Sequence, residues 1–172
     1  NKAIQLDPND ALIYHNMGSI KYDFGDLKGA IIAANKSIAL DGSYANAYYN
    51  RGNARRDKGD LKGALSDFEN AIKIDSLFAN AFMNRGLIKA ELGDFKAAIT
   101  DIEKAIYLDP KDSVKHFNIA SIKYDSGNIK GSISHYRKAI RINPGFASAY
   151  YNLGISKYHS EDTLGAINAY TK

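Results

Sequence analysis

Asparagine returns at a 34-residue interval in this sequence, as Asn16, Asn50, Asn84, Asn118 and Asn152. A carboxamide carries one acceptor oxygen and an NH2 with two donors, so a row of them can grip both the N–H and the C=O of an extended polypeptide. Each bond contributes only about 0.5–1.5 kcal/mol net, so such a ladder would give affinity with little sequence preference. The same side chains can equally bond within their own scaffold and set its spacing. The column before the asparagines holds His15, Tyr49, Met83, Phe117 and Tyr151, and one further along holds Tyr22, Arg56, Ala90, Tyr124 and Tyr158. Aromatic side chains left exposed in such columns are the usual anchors of recognition.

Other chemistries find little support. His15, His116, His135 and His159 fall at no metal-ligand spacing. No glycine-rich phosphate loop is present, and the glycines recur at the repeat interval, which marks them as packing and turn residues. With no cysteine there is neither a disulfide framework nor a thiolate metal site. No catalytic residue, cofactor or metal is expected. The 23 basic and 19 acidic residues leave a net charge of +4 with no run of like charge, so nucleic-acid binding is not expected. The basic column Lys21, Arg55, Lys89, Lys123 and Lys157 is read as stems packed between helices with charged ends in water. Asp23, Asp57, Glu91 and Asp125 lie close enough to cancel much of its field. No apolar run approaches membrane-spanning length and the opening NKAIQLDPND is no signal peptide, so no membrane partner and a cytoplasmic setting are expected.

The elements that position these columns follow from residues 79–112. Ala81, Phe82, Gly86 and Leu92 mark a first helix. Gly93 ends it, because glycine enters the left-handed region at no steric cost, and Asp94 follows as an N-cap. Phe95, Ala98, Ile99, Ile102, Ala105 and Ile106 give a second helix an apolar stripe at i, i+3, i+4, i+7 spacing. Asp109-Pro110 stops it. Shifted by 34 residues, the landmarks recur. Gly18, Gly52, Gly86 and Gly154 share a column, with Ala120 in the fourth unit. Ala30, Ala64, Ala98, Ser132 and Ala166 share a second, and Ala3, Ser37, Ala71, Ala105 and Ala139 a third. These small residues let two helices approach closely.

A strict period of this length marks a stacked repeat array, and the landmarks resemble the tetratricopeptide repeat (TPR) family over the whole chain. Tyr150, Leu153-Gly154, Ala166 and Tyr170 match its pattern of aromatic, Leu-Gly, Ala and aromatic. The sequence departs from it with Lys or Arg where the family has tyrosine, Tyr22, Tyr124 and Tyr158 standing one residue later. Arg51 and Arg85 also replace the usual leucine. The resemblance implies an all-α, right-handed α-solenoid of helix–turn–helix repeats, with the first helix of each lining a concave face. There the asparagine column would hold a peptide, as in some TPR superhelices. Groove exposure is expected for Tyr49, Phe117 and Tyr151, with Tyr22, Arg56 and Tyr124 beside them; the alternative is that some pack against the adjacent repeat. A TPR subset that clamps a C-terminal carboxylate needs lysines in the columns of His15 and of Leu12. Neither column has one.

The expected organisation is a single array over 1–172. Residues 1–10 end a preceding repeat, 11–44, 45–78, 79–112 and 113–146 are complete, and 147–172 are incomplete. Both ends then fall inside a repeat, so a fragment of a longer array is expected. Arg51 and Arg85 occur in the units that carry Asp67 and Asp101, whereas Met17, Ile119 and Leu153 accompany Ala33, His135 and Ala169. This covariation predicts salt bridges Arg51–Asp67 and Arg85–Asp101. The expected function is a protein-interaction scaffold that binds an extended segment of a protein or peptide partner. The alternatives are the substrate-recruiting region of a larger enzyme such as a transferase, or self-association into a homo-oligomer through the open ends.

Overall fold

A computed structural model describes residues 7–171; the part of the expected leading helix that falls on 1–6, with Ala3, lies outside the described residues. Ten α-helices and no strand occur among the described residues. They are α1 (Ala11–Asp23), α2 (Leu27–Leu40), α3 (Ala45–Asp57), α4 (Leu61–Ile74), α5 (Ala79–Glu91), α6 (Phe95–Leu108), α7 (Ser113–Asp125), α8 (Ile129–Ile142), α9 (Ala147–His159) and α10 (Thr163–Tyr170). The architecture is an all-α solenoid of helical hairpins.

One local device builds every hairpin. Asp26, Asp60, Asp94, Asn128 and Asp162 accept from the N–H groups of Gly29, Gly63, Ala97, Gly131 and Gly165 at 2.8–3.0 Å. Each thereby satisfies one of the orphan donors at the start of the second helix. The corner before each cap needs positive φ. Gly25, Gly59, Gly93 and Gly127 supply it at 78–85°, and Glu161 takes the same place at 66°.

The chain divides into two compact units, Asn1–Ala81 and Phe82–Lys172. In the first, α1 packs on α2, α2 on α3, and α3 on α4. Ala30, Ala33, Ala34, Ala47, Ala54, Ala64, Phe68 and Ala71 are buried there. A Cβ on Gly52 would stand 2.8 Å from the Phe68 ring, so the small column is filled by the neighbouring helix. In the second, α6 packs on α7, α7 on α8, α8 on α9, and α9 on α10. One apolar cluster gathers Ala98, Ile102, Ile119 and Ile122. Another gathers Ala120, Tyr136, Ala139, Ala149, Leu153 and Ala169.

The two arginine pairs form as the covariation predicts. Arg51 grips Asp67 through Nε (3.0 and 3.1 Å) and Nη2 (2.6 Å). Arg85 holds Asp101 through Nε (2.8 Å) and Nη2 (2.6 Å). Both carboxylates are buried and each takes a second cation, Arg55 Nη1 or Lys89 Nζ, at 2.8 Å. In the basic column the charged ends of Arg55 and Lys89 are therefore bound to buried carboxylates rather than left in water, while the Lys21 side chain stays 39% exposed. Lys21 pairs with Asp26, Lys123 with Glu103 and Lys157 with Asp162, at 2.8, 3.1 and 3.2 Å. These partners lie on a second helix or at its N-cap.

Candidate peptide-binding face

The residues singled out for recognition all lie on α1, α3, α5, α7 and α9, the first helix of each hairpin. In the first unit ties with an offset of 35 residues, accompanied by one of 31, join α1 to α3. Asn50 Nδ2 donates to Ser19 Oγ at 2.7 Å and lies 3.4 Å from His15 Nδ1. The Tyr22 hydroxyl donates to Asp57 at 2.5 Å, and Arg56 pairs with the same carboxylate at 3.1 Å. Burial, followed by the bond to Asp57, pushes the Tyr22 phenol up from its ordinary value. Asn16 is exposed. Tyr49 is half-buried, its ring 5.8 Å from Phe68 and 4.8 Å from Phe78.

In the second unit the same offset joins α5 to α7 and α7 to α9. Asn118 Nδ2 contacts Met83 Sδ at 3.7 Å, and the Tyr124 hydroxyl meets His159 Nδ1 at 3.0 Å. Asn84 is buried. Phe117 stacks on Phe146 with centroids 5.0 Å apart and joins the apolar cluster around Tyr136. Tyr151 stands 61% exposed. The ring column therefore divides: Tyr49 and Phe117 pack within the scaffold, and Tyr151 faces solvent. The asparagine column divides likewise, with Asn50, Asn118 and Asn152 each holding at least one bond inside the stack.

Tyr124 and Asn152 come together at a cavity of about 180 Å³, lined also by Ser121, Asp125, Tyr136 and Ile155. The hydroxyl of the lining Tyr136 lies 2.9 Å from Ser121 Oγ and is bonded to the Asn152 side chain. Burial raises the Tyr136 phenol, so it stays a neutral donor and acceptor. The sequence alone points to none of Ser121, Tyr136 and Ile155, and to Asp125 only as an acid beside the basic column. The available signal was spacing: Ser121 and Asp125 are one turn apart on the helix that carries Tyr124, as Ile155 is from Asn152.

The histidines hold one more feature that sequence spacing concealed. His116 and His135 approach through their Nδ1 atoms at 3.2 Å, and Lys123 Nζ lies 3.3 Å from His135 Nε2. Burial, then Lys123, Lys138 and His116, lowers His135 to about 4. Among the described residues no group of three or more His, Cys, Asp or Glu could hold a metal. No described helix is long and apolar enough to cross a membrane.

Comparison with known proteins agrees with this architecture. Residues 52–93 and 120–159 match a family model described as TPR repeat, and 79–112 and 11–44 match models described as tetratricopeptide repeat. No curated protein matches the sequence. Among solved structures, MamA superposes with a TM-score of 0.84 at 24% identity, over 94% of this chain and 88% of that one. YrrB, described as a TPR protein with an unusual peptide-binding site, gives 0.80 at 27% identity over 98% and 87%. Pseudomonas aeruginosa pilF gives 0.86 at 19% identity over 94% and 73%.

Proposed function

Because this chain belongs to the tetratricopeptide repeat family, we propose that it is a non-catalytic scaffold that binds an extended peptide segment of a partner protein. The carrying observation is the cavity that joins Tyr124 to Asn152, with the exposed Tyr151 ring on the same helix as Asn152. A backbone laid along α7 and α9 would meet carboxamides and hydroxyls for its own N–H and C=O groups, and rings for its side chains. The peptide-binding site named for YrrB, 27% identical, supports the same use of this fold. Residues 11–44, 45–78, 79–112 and 113–146 act in this reading as four complete repeats of one array, with 147–172 opening a fifth.

The test is selection of a random peptide library on the folded chain. Selected peptides should lose about tenfold in affinity with Tyr124→Ala or Tyr151→Ala, and Asn16, which is exposed, should be the asparagine whose loss least disturbs folding. Failure to select any peptide, or affinities indifferent to both tyrosines, would remove the reading.

A second reading has its own observation. On α10, Leu164, Ile167 and Tyr170 are exposed, and an apolar stripe of that kind can be covered by another copy of the chain. Sedimentation across a hundredfold concentration range decides it: a constant monomer mass excludes self-association.

A further inference from the structure

The cavity between α7 and α9 has a charge asymmetry that specifies what enters it. Its volume, about 180 Å³, is close to that of a cavity that holds one benzene, about 150 Å³. It therefore suits a single side chain. Ser121, Tyr136 and Asn152 offer neutral oxygens and an amide, Ile155 and the Tyr124 ring offer apolar wall, and Asp125 is the one charged group in the lining.

Asp125 is the last residue of α7. The helix dipole gives a carboxylate in the last turn no support, although the N–H groups of Ser126, Gly127 and Asn128 take up the carbonyls of Ile122, Tyr124 and Lys123. Among the described residues no cation pairs with it. Lys123, two positions earlier, is turned to Glu103 and His135. Asp125 thus leaves one negative charge in the lining that no described cation pairs with. Asp57, in the same column, shows how such a group is satisfied within the chain: the Arg56 guanidinium lies 3.1 Å away and the Tyr22 hydroxyl bonds it. The fourth unit has Tyr124 in place of Arg56, so no side chain at that position supplies the cation.

We propose that this cavity is a subsite for one basic side chain, lysine or arginine, of the bound segment. The methylene stem lies against Ile155 and the Tyr124 ring, a face that also attracts cations. The charged end meets Asp125 and the neutral oxygens. The proposal rests on the peptide-binding reading above and adds the chemistry at one position of the peptide.

The experiment uses peptides selected from the random library, then resynthesised with lysine, arginine or norleucine at each basic position. One position should be fixed as basic. Norleucine there should weaken binding roughly tenfold to a hundredfold, the range for a hydrogen bond to a charged group. Whether lysine or arginine binds tighter identifies the preferred cation. Asp125→Asn should erase the penalty and leave the norleucine peptide bound within about twofold; Asp125→Ser guards against an effect peculiar to the amide, and circular dichroism confirms that both fold. Selected peptides with no fixed basic position, or a norleucine penalty that survives both substitutions, overturn the subsite while the peptide reading stands. An empty selection overturns both.

Discussion

Arg51 reaches across its hairpin to Asp67 with three contacts of 2.6–3.1 Å, and the carboxylate it holds is only 1% exposed. The cost of burying that carboxylate is offset only while both cations stay in place, since Arg55 contributes a fourth contact at 2.8 Å. Breaking a buried pair by removing one partner typically costs about 3–5 kcal/mol. Arg51→Met should cost near the lower end, about 3 kcal/mol, because Arg55 remains. The double variant Arg51→Met/Asp67→Leu should lose clearly less than the two single losses together. Urea unfolding of the three variants measures this, and additivity within about 0.5 kcal/mol would show that the two side chains are not coupled.

The glycine column is uneven in what it tolerates. A Cβ on Gly86 would lie 2.8 Å from Ile102 Cγ1 and 3.0 Å from the Ala98 carbonyl oxygen, and that backbone atom cannot swing away. Gly86→Ala should therefore lose about 1–3 kcal/mol, more than alanine returns in helix propensity. At Gly18 the nearest atoms, Ala30 O and Ala33 Cβ, stand at 3.4 Å. Gly18→Ala should be neutral or gain up to about 1 kcal/mol. Thermal melts should move in opposite directions, or at least differ by several degrees; equal shifts would contradict the packing.

Much of this scaffold is legible in the residues. A helix corner recurs as glycine followed by aspartate or asparagine, and both act within three residues, where sequence and structure are nearly the same thing. Arg51–Asp67 is legible for another reason: repeats provide internal comparison, and the two residue types come and go together. The basic column is less legible because each cation has acids on its own helix and on its neighbours. Only side-chain direction decides between them, and Lys21 and Lys157 choose the cap of the following helix. The cavity was hidden because three helices contribute to it. His116 and His135 were hidden likewise, 19 residues apart in sequence yet adjacent across one hairpin.

That histidine pair sets a pH dependence. His135 lies at about 4 in the folded chain, lowered first by burial and then by Lys123, Lys138 and His116. His116 is also lowered, by burial and then Lys138. The unfolded chain, with histidines near 6.5, binds more protons in between, so stability falls as pH drops from about 6.5 toward 4. After allowance for solvent screening of a half-buried group, the loss is about 1–2 kcal/mol. Denaturant midpoints at pH 7.5 and 5 should differ in that direction, and His135→Gln should flatten the dependence. An unchanged slope in the variant would place its origin elsewhere.

Four corners of this scaffold turn through glycine; the fifth forces Glu161 to φ 66°. A β-carbon in that conformation costs roughly 1–2 kcal/mol, and in a repeat chain stability is summed hairpin by hairpin with nearest-neighbour terms. The α9–α10 hairpin thus holds a spring that its four siblings lack. Transient opening should favour this joint, and amide protons around it should trade with solvent sooner than their counterparts one period upstream.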